Sequence, residues 1–192
     1  IEGETRPGLW VQSFQTQREP TPKRPTGVYL PARQRTSPGE DALRFGQLER
    51  INMAGEIVEL LKEIEPRLER LTVIPARGAT AVFGDIGLGR LIPVSLMGDG
   101  IARLLSLALA AGVAQEGGML VVDEIENGLH HSVMAQVWSG IARLVKRFDV
   151  QLFATTHSWE CIKAADEAFQ GDIRDDFRLH RLERVKDATK AV

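Results

Sequence analysis

Apolar positions along this chain change period several times, and each change marks an element. Ile57, Leu60, Leu61 and Ile64 form a stripe with Glu56, Glu59, Lys62 and Glu63 opposite, so helices are predicted over Asp41–Ile51 and Ala54–Ile64, with Pro66 ending the second. Leu71–Ile74, Thr80–Phe83 and Leu91–Leu96 are short apolar runs separated by glycines, which predicts a small antiparallel meander. Helical spacing returns at Ile101, Leu104, Leu105, Ala108 and Leu109. Met119-Leu120-Val121-Val122 is then continuous, with Gly117-Gly118 before it and acids after it, the pattern of a strand buried on both faces. Val133, Val137, Ile141, Leu144, Val145 and Phe148 predict a helix, and Val150–Thr155 a second strand. Strand, helix, strand in this length is a βαβ unit, whose crossover makes the strands parallel. Ser158 is placed to cap a last helix with Glu160 in its first turn, Ile162, Ala165 and Phe169 facing inward and Gly171 closing it. Phe177–Val185 fits an edge strand, with His180 on the surface.

The expected fold is therefore α/β: a mostly parallel sheet flanked by helices, with a small helical and β-meander insertion. Six of the nine prolines precede Gly39, leaving room only for short strands at Leu9–Phe14 and Gly27–Leu30. Residues 1–40 accordingly read as a Pro-rich connecting segment, 41–96 as the insertion and 97–192 as the core. Arg18, Lys23, Arg24, Arg33 and Arg35 stand against Glu19, which suits a solvated connection, with a phosphate- or DNA-facing loop as the alternative.

The net charge of −2 gives no global electrostatic argument for nucleic acid, and 43% hydrophobic residues in 192 suffice for one good core. No apolar run reaches membrane-spanning length. The one cysteine, Cys161, lies among apolar helical positions and reads as core, which favours a reducing, cytoplasmic setting. A first residue that is not methionine suggests a piece of something longer.

Chemistry concentrates where the two predicted parallel strands end. Asp123 and Glu124 follow the first and His157 the second, at the carboxyl edge where open α/β sheets bind ligands. One acid there can hold hydrated Mg²⁺, its neighbour can take the proton of an attacking water, and the histidine can hydrogen-bond a transferring phosphoryl group. LVVDEIENGLHH followed by LFATTHS resembles the Walker B, D-loop and switch-histidine segments of ABC-type ATPases, especially the bacterial AAA-family ATP-binding proteins near the OLD and SMC families. The resemblance implies a P-loop NTPase fold and ATP as substrate. Asp123 would hold Mg²⁺ through water, Glu124 would be the general base, Glu126–His130 (with Asn127, Gly128 and His130) the D-loop, and His157 the γ-phosphate sensor.

Upstream, Ser95-Leu-Met-Gly98-Asp99-Gly100-Ile-Ala-Arg103 leads into the helix at Ile101. Glycines allow close approach, and a helix N-terminus offers unpaired N–H groups to an anion. This stretch resembles a divergent ABC signature, which implies that Gly98, Asp99 and Gly100 contact a γ-phosphate held by a second subunit. Gly98 stands where serine is common, so a hydroxyl contact would come from Ser95, while Arg103 would orient the motif or the phosphate. The insertion resembles the helical and β segments that precede that signature.

Two decoys are set aside. Gly84–Leu91 imitates the glycine spacing of a phosphate loop but has Arg90 and Leu91 for lysine and hydroxyl, and a strand follows. His130 and His131 suggest zinc, but adjacent helical residues diverge by about 100°. With no Walker A segment, the chain reads as the C-terminal half of a longer ATPase, working as a homodimer whose P-loop half is missing here. The alternatives are a non-hydrolysing partner module and the ATPase part of a DNA-processing or phage-defence machine.

Overall fold

In the computed structural model, residues 26–32, 36–76, 79–114, 117–170, 176–185 and 188–191 are described. The possible strand Leu9–Phe14, most of the basic stretch and Gly171 lie outside them.

Among the described residues the central sheet has three parallel strands, β1 (Gly27–Leu30), β5 (Gly118–Val122) and β6 (Val150–Ala154), in the order β1-β5-β6. The βαβ unit is present, with α4 (Met134–Arg147) as its crossover. The short strand expected among the prolines also forms, and it pairs with β5 along its whole length.

Around the sheet pack α1 (Pro38–Glu49), α2 (Ala54–Leu61) and α3 (Asp99–Ala114). Ser37 caps α1 through Glu40 N, and α2 hands on to tight turns at Lys62–Glu65, which end the helix before Pro66 is reached. The insertion strands β2 (Arg70–Ala76), β3 (Ala79–Asp85) and β4 (Ile92–Pro93) form the antiparallel meander in sequence order. Only two residues of the expected third strand are extended, and Val94–Leu96 coil into a 3₁₀ turn because the chain must swing into α3. Ser158 caps α5 (Trp159–Ala168) by accepting from Cys161 N at 3.1 Å. The predicted edge strand is confined to β7 (Leu182–Val185), paired antiparallel with β8 (Ala188–Ala191).

The core lies between the sheet and α3–α4, with Leu104, Leu109, Val122, Val137 and Cys161 fully buried. Helices close tightly at Gly140 of α4, where an added Cβ would clash with Leu60 Cδ1 of α2. The expectation that β5 is buried on both faces is corrected. Leu120 and Val122 point into the core, but Tyr29, Val121 and Phe153 stand side by side on the other face with Met119, and Tyr29, Phe153 and Met119 are 59%, 48% and 41% exposed. Two-sided burial requires a layer on each face, and among the described residues α3 and α4 cover one.

Candidate functional site

Parallel pairing brings the ends of β5 and β6 level. Asp123 N donates to Leu30 O at 2.9 Å, Thr155 N donates to Val122 O at 2.9 Å, and Ile125 N donates to Thr155 O at 3.1 Å. Ile125, 2% exposed, anchors the turn from within. Asp123 and Glu124 are thereby held at the sheet's carboxyl edge.

Their side chains are not free to wander. Thr155 Oγ1 donates to Asp123 Oδ1 at 2.5 Å and accepts from Glu124 N at 2.9 Å. Glu124 itself has φ 46°, in the left-handed region that costs a residue with a side chain about 1–3 kcal/mol. Asn127 Nδ2 donates to Glu124 Oε2 at 2.9 Å and to Ala32 O at 3.0 Å, fixing the carboxylate against the loop after β1. Glu126 Oε1 accepts from His157 N at 3.0 Å, while its Oε2 is buried without a hydrogen-bond partner among the described residues. The His157 imidazole is exposed.

The first turn of α3 rests on the loop after β5. A Cβ on Gly100 would lie 3.2 Å from Gly128 O, and one on Gly128, where φ is 80°, would lie 3.6 Å from Asp99 O and 3.8 Å from Arg103 Cβ. The approach is tight at Gly100, and the positive φ at Gly128 favours glycine there. A cleft of about 230 Å³ opens beside the contact, lined among others by Met97, Gly98, Gly100, Gly128 and His130. Gly98 and Ser95 are exposed, Ser95 in the 3₁₀ turn before the cleft. Arg103 runs from α3 to the strand end, where Nη2 donates to Asp123 O at 3.3 Å. Burial pulls its pKa down and the Asp123 charge pushes it up. Arg103 thus links α3 to the end of β5.

The histidine pair departs from the sequence-based geometry. His130 lies before the helix, capping the 3₁₀ turn His131–Val133 by accepting from Ser132 N at 3.3 Å. Its ring and that of His131 therefore come together, with centroids 4.1 Å apart, instead of diverging. No group of three or more His, Cys, Asp and Glu suited to a metal occurs among the described residues. The Gly84–Leu91 loop is the β3–β4 hairpin, with Gly87 and Gly89 at positive φ, and no helix follows to receive phosphate.

Residues 30–161 match the model of a family described as "AAA domain, putative AbiEii toxin, Type IV TA system". The chain belongs to this AAA family. The matched span runs from the end of β1 into α5. A Helicobacter pylori (strain ATCC 700392 / 26695) protein named ATP/GTP phosphatase is 33% identical over 82 residues, which are 41% of this chain. The chain spans 22% of the length of that relative. The fold is shared with a structure described under "ATP-driven dimerization and DNA stimulated activation of SMC ATPases" (TM-score 0.53, 14% identity, 78% of this chain and 88% of that one). It is shared also with an SmcHead bound to the C-winged helix domain of ScpA (TM-score 0.55, 14% identity, 82% and 50%).

Against this AAA-family frame, the structure gathers Asp123, Glu124, Asn127 and His157 at one edge, and Gly98, Gly100, Gly128 and His130 around one cleft. In the sequence Thr155 looks like one more β-branched strand residue. The signal that could have found it is its place: a hydroxyl one residue past a parallel strand, level with an acid.

Proposed function

We propose that this chain is the part of an ABC-type ATPase that supplies Walker B, switch histidine and signature to Mg-ATP hydrolysis in a nucleotide-sandwich homodimer. The P-loop comes from sequence outside these residues. The observation that carries this is Glu124, set at the end of a parallel strand in a strained backbone conformation, its carboxylate oriented by Asn127 and the His157 strand end beside it. Strain of this kind persists where surrounding structure enforces it, and it concentrates at functional sites.

In this reading Asn127 holds one carboxylate oxygen of Glu124, and the other takes the proton of the water that attacks the γ-phosphoryl group. His157, its backbone N–H fixed by Glu126, presents its imidazole to that group. The N-terminal turn of α3, with Gly98, Asp99 and Gly100, faces the nucleotide of the partner subunit, Ser95 adds a hydroxyl beside it, and Gly128 and His130 belong to the same contact. Positioning and charge stabilisation account for most of phosphoryl-transfer catalysis, so dimer closure controls turnover.

The donor set at Asp123 fits Mg²⁺, which uses one or two carboxylates with substrate phosphates and water and needs no all-protein cage. When bound, the ion neutralises phosphate charge. Asp123 would hold it, with one carboxylate oxygen already fixed by Thr155.

Phosphate release by the protein at its full natural length tests the reading. Glu124→Gln is expected to lower kcat at least about 100-fold with Mg-ATP still bound. Equal turnover by Glu124→Gln and wild type sinks it, and absence of turnover in both favours the partner-module alternative. The description of DNA-stimulated activation, given for SMC ATPases, favours a DNA-linked setting as a second reading. Salt-dependent DNA binding that is lost when Arg18–Arg35 are neutralised tests that.

A further inference from the structure

We infer that Thr155 is a positioning residue for the acid pair, one hydroxyl setting both the carboxylate of Asp123 and the backbone of Glu124. The inference rests on the ATPase reading above. A hydroxyl has one proton to give and two lone pairs. Here the proton goes to Asp123 Oδ1 and a lone pair receives Glu124 N–H, so one group satisfies two partners and a methyl could serve neither.

The hydroxyl is itself well placed to be rigid. Val122 and Ala154 are the last paired residues of β5 and β6, and Thr155 is the next residue of its strand. Its N–H is bound to Val122 O and its carbonyl to Ile125 N, which pins its backbone on both sides. A β-branched side chain on a pinned backbone has few χ1 choices. The position of Oγ1 is therefore given by the strand ladder.

Its two partners need it for different reasons. Glu124 sits at φ 46°, and the bond from its N–H to Thr155 is one of the contacts that hold it there. Asp123 lies past the end of β5, and the bond to Oδ1 fixes which way its second oxygen points. A reciprocal tie runs the other way, since Glu126, after β5, accepts from the backbone N–H of His157, after β6. The two strand ends are cross-linked in both directions, so a displacement of β6 carries both acids with it.

The test compares Thr155→Val, nearly the same shape without the hydroxyl, with Thr155→Ser, which keeps it. Both are made in the protein at its full natural length, with wild type and Glu124→Gln beside them. Thr155→Val is expected to lower kcat about 10- to 100-fold and to raise the Mg²⁺ concentration for half-maximal rate by a similar factor, with KM for ATP at saturating Mg²⁺ within about threefold. Without nucleotide, amide hydrogen exchange at Glu124 is expected to quicken in Thr155→Val and not in Thr155→Ser. Serine is expected to stay within about threefold of wild type in each kinetic readout.

Wild-type kcat, Mg²⁺ dependence and Glu124 exchange in Thr155→Val would overturn the role while leaving the ATPase reading intact. Impairment of Thr155→Ser equal to that of valine would overturn it too, by making the methyl the important group. A wild type that hydrolyses nothing overturns the ATPase reading, and the positioning role falls with it.

Discussion

The acid corner and the glycine cleft lie side by side and are built on opposite plans. At the corner, each acid has one carboxylate oxygen tied by a hydrogen bond: Asp123 by Thr155, Glu124 by Asn127 and Glu126 by the His157 backbone, while Thr155 also holds the Glu124 N–H. At the cleft, Gly98, Gly100 and Gly128 leave backbone open among mostly apolar side chains such as Ile64, Met97 and Val133, and α3 brings its N-terminal turn to the surface. Hydrogen bonds fix charges where charge must be placed before a reaction, and glycine leaves room where another body must approach. The difference suits a composite site in which one subunit performs the proton chemistry and the other closes over it. Arg103 ties the two plans together, reaching from the helix of the cleft to the carbonyl of Asp123.

Filling the cleft should break the comparison most severely. Gly100→Val places branched carbons where even a Cβ stands 3.2 Å from Gly128 O. Phosphate release is expected to fall about 100-fold, with the ATP affinity of the isolated subunit changed little, because in the proposed sandwich the cleft faces the partner's nucleotide. Normal kinetics in this variant would mean that the cleft receives nothing.

Loosening the corner is expected to cost less. Asn127→Ala frees Glu124 Oε2 and leaves the carboxylate in place, so kcat should drop about tenfold in steady-state assays, with KM nearly constant. An Asn127→Ala loss as large as that of Glu124→Gln would give the amide a direct part in the reaction.

A third substitution sharpens the comparison by acting on stability alone. Asp41 of α1 accepts from Ser106 Oγ of α3 at 2.8 Å, with its other oxygen buried and unpartnered among the described residues. Burial raises its pKa to about 6, with Ser106 and Arg44 opposing and Glu40 assisting. The folded state therefore holds a proton that the unfolded state has released between about pH 4 and pH 6, so stability falls as pH rises through that window and levels off above it. Asp41→Asn keeps an acceptor for Ser106 and removes the buried charge. It should flatten the pH dependence of Tm and raise stability at pH 8 by about 1–3 kcal/mol, with kcat unchanged.

The βαβ unit could be read in the sequence because β5, α4 and β6 each carry an unbroken apolar period with a clear stop. The meander was legible from its glycines. The place of β1 was less so, since four residues among prolines carry no period long enough to show that they pair with β5. The two-sided burial expected for β5 failed for a related reason: an apolar run records the composition of both faces, but not which layers cover them. At the site, residue types announced the acids and the histidine, whereas the bonds that aim them did not show. Thr155, Asn127 and Glu126 act across a strand pair or along a loop, and their partners are fixed only by the three-dimensional register. The tilted His130–His131 pair does not show the divergence of adjacent helical residues because the chain is still extended at His130.

A mixing experiment reaches the composite site most directly. Glu124→Gln and Gly100→Val, each made at full natural length and each nearly inactive alone, are combined in equal amounts, and phosphate release is followed. If the site is shared, each mixed dimer contains one intact pair, Glu124 from one subunit and Gly100 from the other, and activity returns toward about a quarter of the wild-type level by random exchange of subunits. A mixture that stays as inactive as its components, with subunit exchange demonstrated, would show that acids and glycine cleft serve the same nucleotide within one subunit and would contradict the sandwich arrangement.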